Sequence, residues 1–224
     1  MTTVGFIGSG NIGATVARLA VAAGYEVVLS NSRGPETLAG LAGELGSRAR
    51  AATAAEAAAA GDLVVVSVPF KAHRDLPVSE LAGKVVLDTN NYYPQRDGHV
   101  AEIDDGSLTS AEYEQRHLGG ARLVKVFNNI YFRHLAALAR PAGAADRTAL
   151  TIAGDDPAAN RAVTEFLDAT GYDTVEVGPL AESWRVQPDE PAYGAPFGAF
   201  DNPDGTPASA ETIRAAVAAA QRST

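Results

Sequence analysis

The chain has 224 residues, a formal net charge of −9 and 46% hydrophobic residues, enough for one domain or for one large and one small lobe. It contains no cysteine, which excludes disulfides, thiolate metal sites and a cysteine nucleophile. The acidic balance argues against nucleic acid as a partner. No apolar run reaches the ~18–20 residues of a membrane span, and Met1 leads directly into a predicted strand, so we expect a cytoplasmic protein that does not bind membranes.

Residues 1–33 predict a strand, a glycine-rich turn, a helix and a second strand. The turn has the pattern G-x-G-x-x-G, with Gly8, Gly10 and Gly13 at its glycine positions. Gly8 permits the tight turn, Gly10 lets the backbone approach a pyrophosphate, and Gly13 lets the helix pack closely on the strand. The helix would direct its free N–H groups and the positive end of its dipole at the phosphates. The stretch therefore predicts a dinucleotide site.

The end of the second predicted strand distinguishes NAD(H) from NADP(H). NAD sites usually place Asp or Glu here to bind the ribose 2′-hydroxyl. This chain has Asn31, Ser32 and Arg33, without a carboxylate. An acid would repel a 2′-phosphate, whereas Arg offers a planar fork of donors that suits one. We therefore predict NADP(H) as the cofactor.

Predicted helices and strands alternate through the rest of the chain. We expect helices at 35–45, at 54–60 behind a capping box of Thr53 and Glu56, and at 110–117, 132–138, 157–170 and 208–221. Strands are expected at 48–52, 62–69, 84–88, 122–127, from 149 onward, and at 172–177. This alternation predicts an α/β fold with a Rossmann-type, doubly wound, mostly parallel sheet. We expect an NADP-binding domain at 1–140 and a small C-terminal α/β lobe at 141–224 that completes the substrate cleft and makes dimer contacts.

Polar residues follow three of the predicted strands. They occupy 70–73, 89–93 and 128–129, where ligands of open α/β sheets bind. The segment 182–207 is rich in proline and aromatic residues and is longer than a normal connection. We expect it to be functional, a dimer arm or mobile.

Several of these blocks together resemble the NADPH-dependent F420 reductases, also called F420-dependent NADP oxidoreductases, over roughly residues 1–180. The blocks are the glycine turn, Ser30-Asn31-Ser32-Arg33, Ser67-Val68-Pro69-Phe70-Lys71-Ala72-His73, Phe127-Asn128-Asn129-Ile130, Gly154-Asp155-Asp156 and Gly178-Pro179-Leu180. This family lies in a wider group that also contains pyrroline-carboxylate reductases. The resemblance implies that NADP(H) binds on the Rossmann part and that the deazaflavin F420 stacks in a cleft against the C-terminal lobe.

The resemblance also implies roles for individual residues of the cofactor site. They are the pyrophosphate contacts Ser9, Asn11 and Ile12 beside the three glycines, Ser32 and Arg33 with neighbouring Asn31 at the 2′-phosphate, Val68, Pro69 and His73 along the adenosine or nicotinamide side, and Asn91 and Asn129 near the nicotinamide and the second substrate.

The acceptor decides whether a proton donor is needed. Hydride transfer to a deazaflavin requires mainly that two rings be held face to face. A carbonyl or imine acceptor would also need a proton. The candidate catalytic residues are then Tyr92, Tyr93 and His73, with Lys125, Tyr131 and His134 as further possibilities. We expect Lys125 to be a surface lysine and His134 to be structural; Trp184 is equally suited to stacking on a flat ring and to filling a dimer core.

We therefore expect an NADP(H)-dependent oxidoreductase with an F420-type acceptor. The alternatives are an NADPH-dependent reductase of a carbonyl, imine or quinone-like compound on the same fold, and a non-catalytic NADP(H) sensor. The resemblance and the late aromatic residues favour a homodimer. No metal site is expected, because Asp104-Asp105 and Asp155-Asp156 have the spacing of turns and helix caps.

Overall fold

One eight-stranded sheet carries the fold of residues 1–222, the part of the chain that the computed structural model describes. Its strands, in chain order, are β1 Thr3–Ile7, β2 Glu26–Ser30, β3 Ala49–Ala51, β4 Leu63–Val66, β5 Val85–Asp88, β6 Arg122–Val126, β7 Ala149–Gly154 and β8 Asp173–Gly178. They are arranged in the order β3-β2-β1-β4-β5-β6-β7-β8. All neighbours pair in parallel except β6 and β7, which are antiparallel. The prediction of a Rossmann-type, mostly parallel sheet is confirmed.

Helices cover both faces of this sheet. They are α1 Asn11–Ala22, α2 Ala39–Leu45, α3 Ala54–Ala60, α4 Val78–Leu81, α5 Pro94–Asp97, α6 Ala101–Asp104, α7 Ser110–Leu118, α8 Phe132–Ala137, α9 Pro157–Thr170 and α10 Ala210–Ala218. Turns of 3₁₀ helix occupy Pro35–Leu38, Gly46–Arg48, Phe70–Asp75, Leu180–Val186 and Ala195–Phe197. The capping box predicted for Thr53 and Glu56 is present at the start of α3.

The central strands are buried on both faces, which explains their continuous runs of apolar residues. Every residue of β4 and β5 is buried. Val65 packs in the larger core cluster with α1, α8 and α9, whereas Val64 and Val66 pack in a second cluster with α3, α4 and α7. Because successive side chains of a strand point to opposite faces, a strand covered on both sides favours apolar residues at almost every position, and Asp88 at the end of β5 is the exception in these two strands.

The strands of residues 141–224 extend the same sheet. β7 pairs with β6, and β8 pairs with β7, so the antiparallel step is made inside one continuous set of hydrogen bonds. The amide of Ala149 donates to the carbonyl of Ala208, which ties the entrance of α10 to the start of β7.

Three local predictions differ from the structure. The polar stretch after Tyr93 contains two one-turn helices, α5 and α6, that were not predicted. Residues 70–73, expected as a loop, form part of a 3₁₀ turn. The last helix is shorter than predicted: the side chain of Ser209 accepts a hydrogen bond from the amide of Thr212, and the helix ends at Ala218. Short helices of this kind depend on contacts made after folding, which local sequence patterns do not record.

Within residues 1–222 no helix combines the length and the apolar character that crossing a membrane requires. Across the same described range, no three or more His, Cys, Asp or Glu side chains are grouped so that they could hold a metal ion.

Candidate active site

The glycine turn lies where the sheet changes direction of winding. The chain leaves β1 for β2 on one side and later returns to β4 on the other, so the ends of β1 and β4 flank a crevice. Gly8 has a φ of 99°, and a Cβ there would lie 2.1 Å from the carbonyl oxygen of Ser67. A Cβ on Gly13 would lie 2.1 Å from the carbonyl oxygen of Gly8. Both positions therefore require glycine for close backbone packing.

Gly10 differs from its two neighbours because a Cβ there would meet nothing within 4 Å. The residue precedes α1, and no side chain caps this helix. The first-turn N–H groups of α1, including those of Asn11 and Ile12, thus face open space above the turn. The hydroxyl of Ser9 already donates a hydrogen bond to the carbonyl of Ser30 over 3.0 Å. The turn leaves a cradle that suits the backbone binding of a pyrophosphate.

The loop after β2 exposes the guanidinium of Arg33, a group that suits an anion. The Asn31 side chain accepts from the amide of Arg33 over 2.9 Å and donates to the hydroxyl of Thr37 over 2.9 Å. Ser32 and Arg33 are exposed, and within residues 1–222 the guanidinium of Arg33 has no ion pair or hydrogen bond. Asn31 and Thr37 thus order the backbone of this loop, and the guanidinium N–H groups of Arg33 have no partner within residues 1–222.

The loop after β4 contributes backbone more than side chains. The amide of Val68 donates to the Asn90 side chain over 3.0 Å, while Pro69 is exposed beside it. His73 is 6% exposed, and its Nδ1 is 2.9 Å from the carbonyl oxygen of Phe70. Burial lowers the pKa of His73. The geometry does not support a cofactor contact or an acid–base role for His73, because its ring packs against Tyr113 and His117, away from the cleft described next.

An uncharged cavity of about 410 Å³, the acceptor cleft, opens beside the start of α1. Amide, hydroxyl, aliphatic and aromatic side chains form its walls, and no charged side chain of the described chain lines it. The lining residues are Asn11, Ile12, Thr89, Asn91, Phe127, Asn128, Asn129, Ile130, Tyr131, Phe132, Tyr193, Gly194 and Phe200. A second cavity of about 620 Å³ shares Asn11 and Phe132 with it and runs along Ser9 and Gly10. The two cavities together connect the glycine turn to the aromatic side chains of the acceptor cleft.

Three asparagines form the floor of the acceptor cleft. Asn91 donates to the carbonyl of Asn128 over 2.7 Å, Asn128 donates to the carbonyl of Val186 over 2.8 Å, and Asn129 donates to the carbonyl of Ala192 over 2.9 Å. The side-chain oxygens of Asn128 and Asn129 are buried and accept no hydrogen bond from residues 1–222. Buried acceptors are normally satisfied, so the floor of the cleft has two amide oxygens without a donor from the described chain.

The backbone is strained at the same place. Phe127 has a φ of 61°, in the left-handed region that few side chains adopt. The residue is fully buried and follows directly on β6. Such strain persists where the surrounding structure enforces it, and it often marks a functional turn.

The segment 187–206 closes the cleft from above. Gly194 donates from its amide to the carbonyl of Asn129 over 2.9 Å, and Phe197 is fully buried in the core. Phe200, which is 60% exposed, packs edge-on against Tyr131 and stacks over His134. The segment therefore packs against the rest of the same chain and forms part of the wall of the acceptor cleft.

The structure separates the two adjacent tyrosines predicted as catalytic. Tyr92 donates from its hydroxyl to Asp104 over 2.7 Å and accepts from the amide of Val100 over 3.0 Å, which commits it away from the cleft. The hydroxyl of Tyr93 lies 2.7 Å from that of Tyr193. Tyr193 lines the cleft, and burial followed by the hydrogen bond to Tyr93 raises its pKa. Of these three tyrosines, Tyr193 is the one that lines the cleft.

The expectation of a surface lysine at position 125 is wrong. Lys125 is 3% exposed and donates to Asp88 over 2.8 Å and to the carbonyl of Asn90. The Asn90 side chain donates in turn to both oxygens of Glu114, at 3.2 and 3.1 Å. Burial, reinforced by the charge of Asp88, raises the pKa of Glu114 to about 8. These four residues form a network, named here the buried charge network, that sequence reasoning missed.

Of the remaining predicted candidates, Tyr131 lines the acceptor cleft, whereas the others have structural contacts. His134 is fully buried, and its Nε2 lies 2.8 Å from the carbonyl oxygen of Asn202. The guanidinium groups of Arg185 and Arg222 lie 4.4 and 5.5 Å from the centre of the Trp184 ring, which does not line the cleft. Asp156 caps α9 by accepting from the amide of Ala159, as its spacing predicted.

A mostly parallel sheet with a glycine cradle at its switch point, and an arginine after β2 that has no partner within residues 1–222, are typical of a dinucleotide-binding protein. A family model described as "NADP oxidoreductase coenzyme F420-dependent" matches residues 3–92. Over these residues, which include β1, the glycine turn, α1 and β2, the chain is similar to NADP-dependent oxidoreductases.

Three relatives illustrate the range of similar proteins. Over 188 residues the chain is 30% identical to metalloreductase STEAP3 of Rattus norvegicus, covering 82% of this chain and 35% of that protein. The chain thus spans 35% of the length of this curated relative. The crystal structure of hypothetical protein SMa0349 from Sinorhizobium meliloti is 30% identical with a TM-score of 0.75, covering 87% of this chain and 94% of that one. A structure from Arthrobacter sp. FB24, provisionally described as an F420-dependent NADP reductase, is 24% identical with a TM-score of 0.68 and shares the fold, with coverage of 82% and 87%.

Proposed function

We propose that the chain is an NADP(H)-dependent oxidoreductase that exchanges hydride between the nicotinamide of NADPH and a deazaflavin of the F420 type. The observation that carries this proposal is the continuity of the site. The open glycine cradle lies at one end of two cavities that share Asn11 and Phe132, and the uncharged aromatic cleft lies at the other. The uncommitted Arg33 follows the neighbouring strand β2. The family description supports both the cofactor and the acceptor.

The residues present fit NADP(H) at three points. The open space at Gly10 and the uncapped N-terminus of α1 suit the pyrophosphate. The exposed donors of Arg33 suit the 2′-phosphate. The unsatisfied side-chain oxygens of Asn128 and Asn129 suit the N–H donors of a nicotinamide carboxamide. The cofactor would supply the hydride, and the protein would hold the two rings together and exclude water.

A deazaflavin suits the cleft because its ring is flat and direct hydride transfer needs no protein nucleophile. Tyr131, Phe132 and Phe200 provide aromatic surface for stacking, and the lining has no charged group that would compete for the ring. Positioning two reactants at contact distance can account for a large part of the barrier reduction.

The test is spectrophotometric. Purified protein is mixed with NADPH and oxidised coenzyme F420, and the deazaflavin absorbance is followed. Rapid bleaching that depends on enzyme concentration supports the proposal. Tight NADPH binding without bleaching would reject the deazaflavin and direct the search to other acceptors. NADPH binding without turnover of any acceptor would leave the alternative of a non-catalytic sensor.

One observation favours a second function, the reduction of a carbonyl, imine or quinone-like compound. Tyr193 presents a hydroxyl at the cleft and is backed by Tyr93, so a proton donor is within the lining. A screen of such acceptors with NADPH, using the assay above, tests this alternative directly.

We also propose a homodimer that binds a small-molecule substrate, on the strength of the family resemblance. Light scattering at working concentrations tests the assembly. A monomeric mass would remove the homodimer from the proposal.

A further inference from the structure

The buried charge network lies directly beneath the acceptor end of the site. Asp88 and Lys125 are register partners on the parallel strands β5 and β6, and both are within one residue of the end of their strand. Asp88 and Glu114 are fully buried, and Lys125 is nearly so. Removing charges from water is expensive, so a buried ion pair is weak evidence for stability and calls for another explanation.

The bonds of the network converge on the turn after β5. Lys125 donates to the backbone carbonyl of Asn90, and the amide of Asn90 donates to Asp88 over 2.8 Å. The side chain of Asn90 reaches the amide of Val68 on one side and Glu114 on the other. The backbone of Asn90 is therefore held by β5 and β6, and its side chain is held by the loop after β4 and by α7.

The residues on either side of Asn90 are the ones that face the ligand. Thr89 and Asn91 both line the acceptor cleft, whereas Asn90 does not. Lys125 also lies two residues before Phe127, where the second cleft-lining turn begins with a strained backbone. One ammonium group thus connects the two turns that form the floor of the cleft.

We propose that Lys125 is a positioning residue for the nicotinamide end of the site: by bonding Asp88 and the carbonyl of Asn90, it holds Thr89 and Asn91 in the orientation that receives the nicotinamide ring. This inference rests on the proposed function, since it assumes that NADP(H) binds. It adds a residue that does not touch the ligand and acts through the turn between β5 and α5. Its effect is expected at the nicotinamide end, because Thr89 and Asn91 line the acceptor cleft, whereas within residues 1–222 Arg33 makes no hydrogen bond or ion pair with the network.

The experiment compares two ligands that share the adenosine end. NADP⁺ reaches both ends of the site, whereas adenosine 2′,5′-bisphosphate lacks the nicotinamide. Binding of each is measured by calorimetry for the wild type and for Lys125→Met. We expect NADP⁺ to bind about tenfold more weakly to the variant, because the contacts of the turn with the nicotinamide are lost. The affinity for adenosine 2′,5′-bisphosphate should be unchanged within about twofold.

Lys84→Met is the matched control. Lys84 also bonds backbone carbonyls, those of Ala59 and Gly61, but it precedes β5 at the opposite edge of the sheet. It should leave both affinities unchanged. Because Lys125→Met leaves Asp88 buried without its partner, the double variant Asp88→Asn, Lys125→Met serves where the single variant does not fold. It lacks the unpaired charge and still lacks the bond to Asn90, so it should show the same selective loss.

Equal weakening of the two ligands would overturn the proposal, because it would show a general structural effect. Wild-type affinity for NADP⁺ in the double variant would overturn it as well. A wild-type protein that binds neither ligand would instead reject the proposed function. Where turnover is measurable, a fall in kcat together with a rise in the KM for NADPH would support positioning, since a misplaced turn weakens both the binding and the alignment of the nicotinamide.

Discussion

The two ends of the site are built by different physical means. At the glycine turn the site is formed by the shape of the backbone. Gly8 and Gly13 allow backbone segments to pack closely, and Gly10 leaves open space for a ligand. At the acceptor end, side chains from β5, β6 and α7 are fixed by buried charges, and asparagine side chains join distant segments. The first end is sensitive to added volume, and the second is sensitive to charge and protonation. Each of the following predictions tests one side of this difference.

The largest effect is expected from volume added at the glycine turn. In Gly13→Ala the new Cβ would lie 2.1 Å from the carbonyl oxygen of Gly8, which forces α1 away from β1. Overpacking costs typically 1–3 kcal/mol, and a contact with backbone leaves little room for relaxation, so we expect a loss of stability of about 3 kcal/mol or more. Urea unfolding measures it.

Gly10→Ser is the control within the same turn. A side chain here meets nothing within 4 Å, and serine is a preferred residue at a helix N-cap, so stability should not fall. NADP⁺ affinity should drop, because the side chain occupies the cradle. Normal NADP⁺ binding by this variant would contradict the placement of the pyrophosphate.

Protonation provides the test at the other end. The pKa of Glu114 is raised from 4.5 to about 8, first by burial and then by the charge of Asp88. Between these values the folded protein retains a proton that the unfolded chain releases, so the free energy of unfolding falls as pH rises from about 4.5 to 8 and levels off above it. Glu114→Gln should remove this dependence, which is on the order of a few kcal/mol.

Urea unfolding of wild type and Glu114→Gln at pH 5, 6.5 and 8.5 measures the difference. The variant should gain stability relative to wild type as pH rises. Glu102→Gln, which removes an exposed carboxylate, controls for the change in net charge. Parallel pH profiles for wild type and Glu114→Gln would show that Glu114 does not retain its proton in the folded state.

The same difference determines what the sequence could predict. The glycine turn is local: six consecutive residues carry both the fold signal and the phosphate site, so β1, α1, β2 and the cradle followed from pattern alone. The buried charge network is not local. Lys125 and Asp88 are 37 positions apart, and Asn90 and Glu114 are 24 apart. A lysine within an apolar strand has no local feature that distinguishes a snorkelling side chain from a buried one.

Other features of the acceptor end had weak signals. The repeated asparagines at 90–91 and 128–129 indicated a polar floor, yet which of them face the ligand depends on the turns that follow β5 and β6. The choice of Tyr92 and Tyr93 came from their position after a strand. The structure shows that Tyr193, a hundred positions away from Tyr93, occupies the wall instead.

The third prediction concerns Arg33, the charged residue that we place at the 2′-phosphate of the cofactor. Arg33→Ala should weaken NADPH about 10- to 150-fold, since a hydrogen bond to a charged group contributes roughly 1.5–3 kcal/mol. NADH affinity should be almost unchanged, because NADH lacks the 2′-phosphate. Fluorescence titration with both cofactors measures the ratio. An equal loss for NADPH and NADH would reject Arg33 as the 2′-phosphate ligand.

The smallest effect on stability is expected at the tyrosine pair, where it separates the two candidate reactions. Tyr193→Phe and Tyr93→Phe each remove the same 2.7 Å hydrogen bond, so both should cost about 0.5–1.5 kcal/mol of stability. They differ in that Tyr193→Phe alone removes the hydroxyl that lines the cleft.

Direct hydride transfer to a deazaflavin needs no proton from this wall, so both variants should then retain kcat within about threefold. Reduction of a carbonyl or imine would need the proton, and Tyr193→Phe should then lower kcat by roughly 10²-fold or more while Tyr93→Phe has a much smaller effect. The pair of variants therefore tests whether Tyr193 supplies a proton even before the natural acceptor is known. Matching losses of kcat in both would mean that the hydrogen bond orders the segment 187–206 and that neither hydroxyl takes part in the reaction.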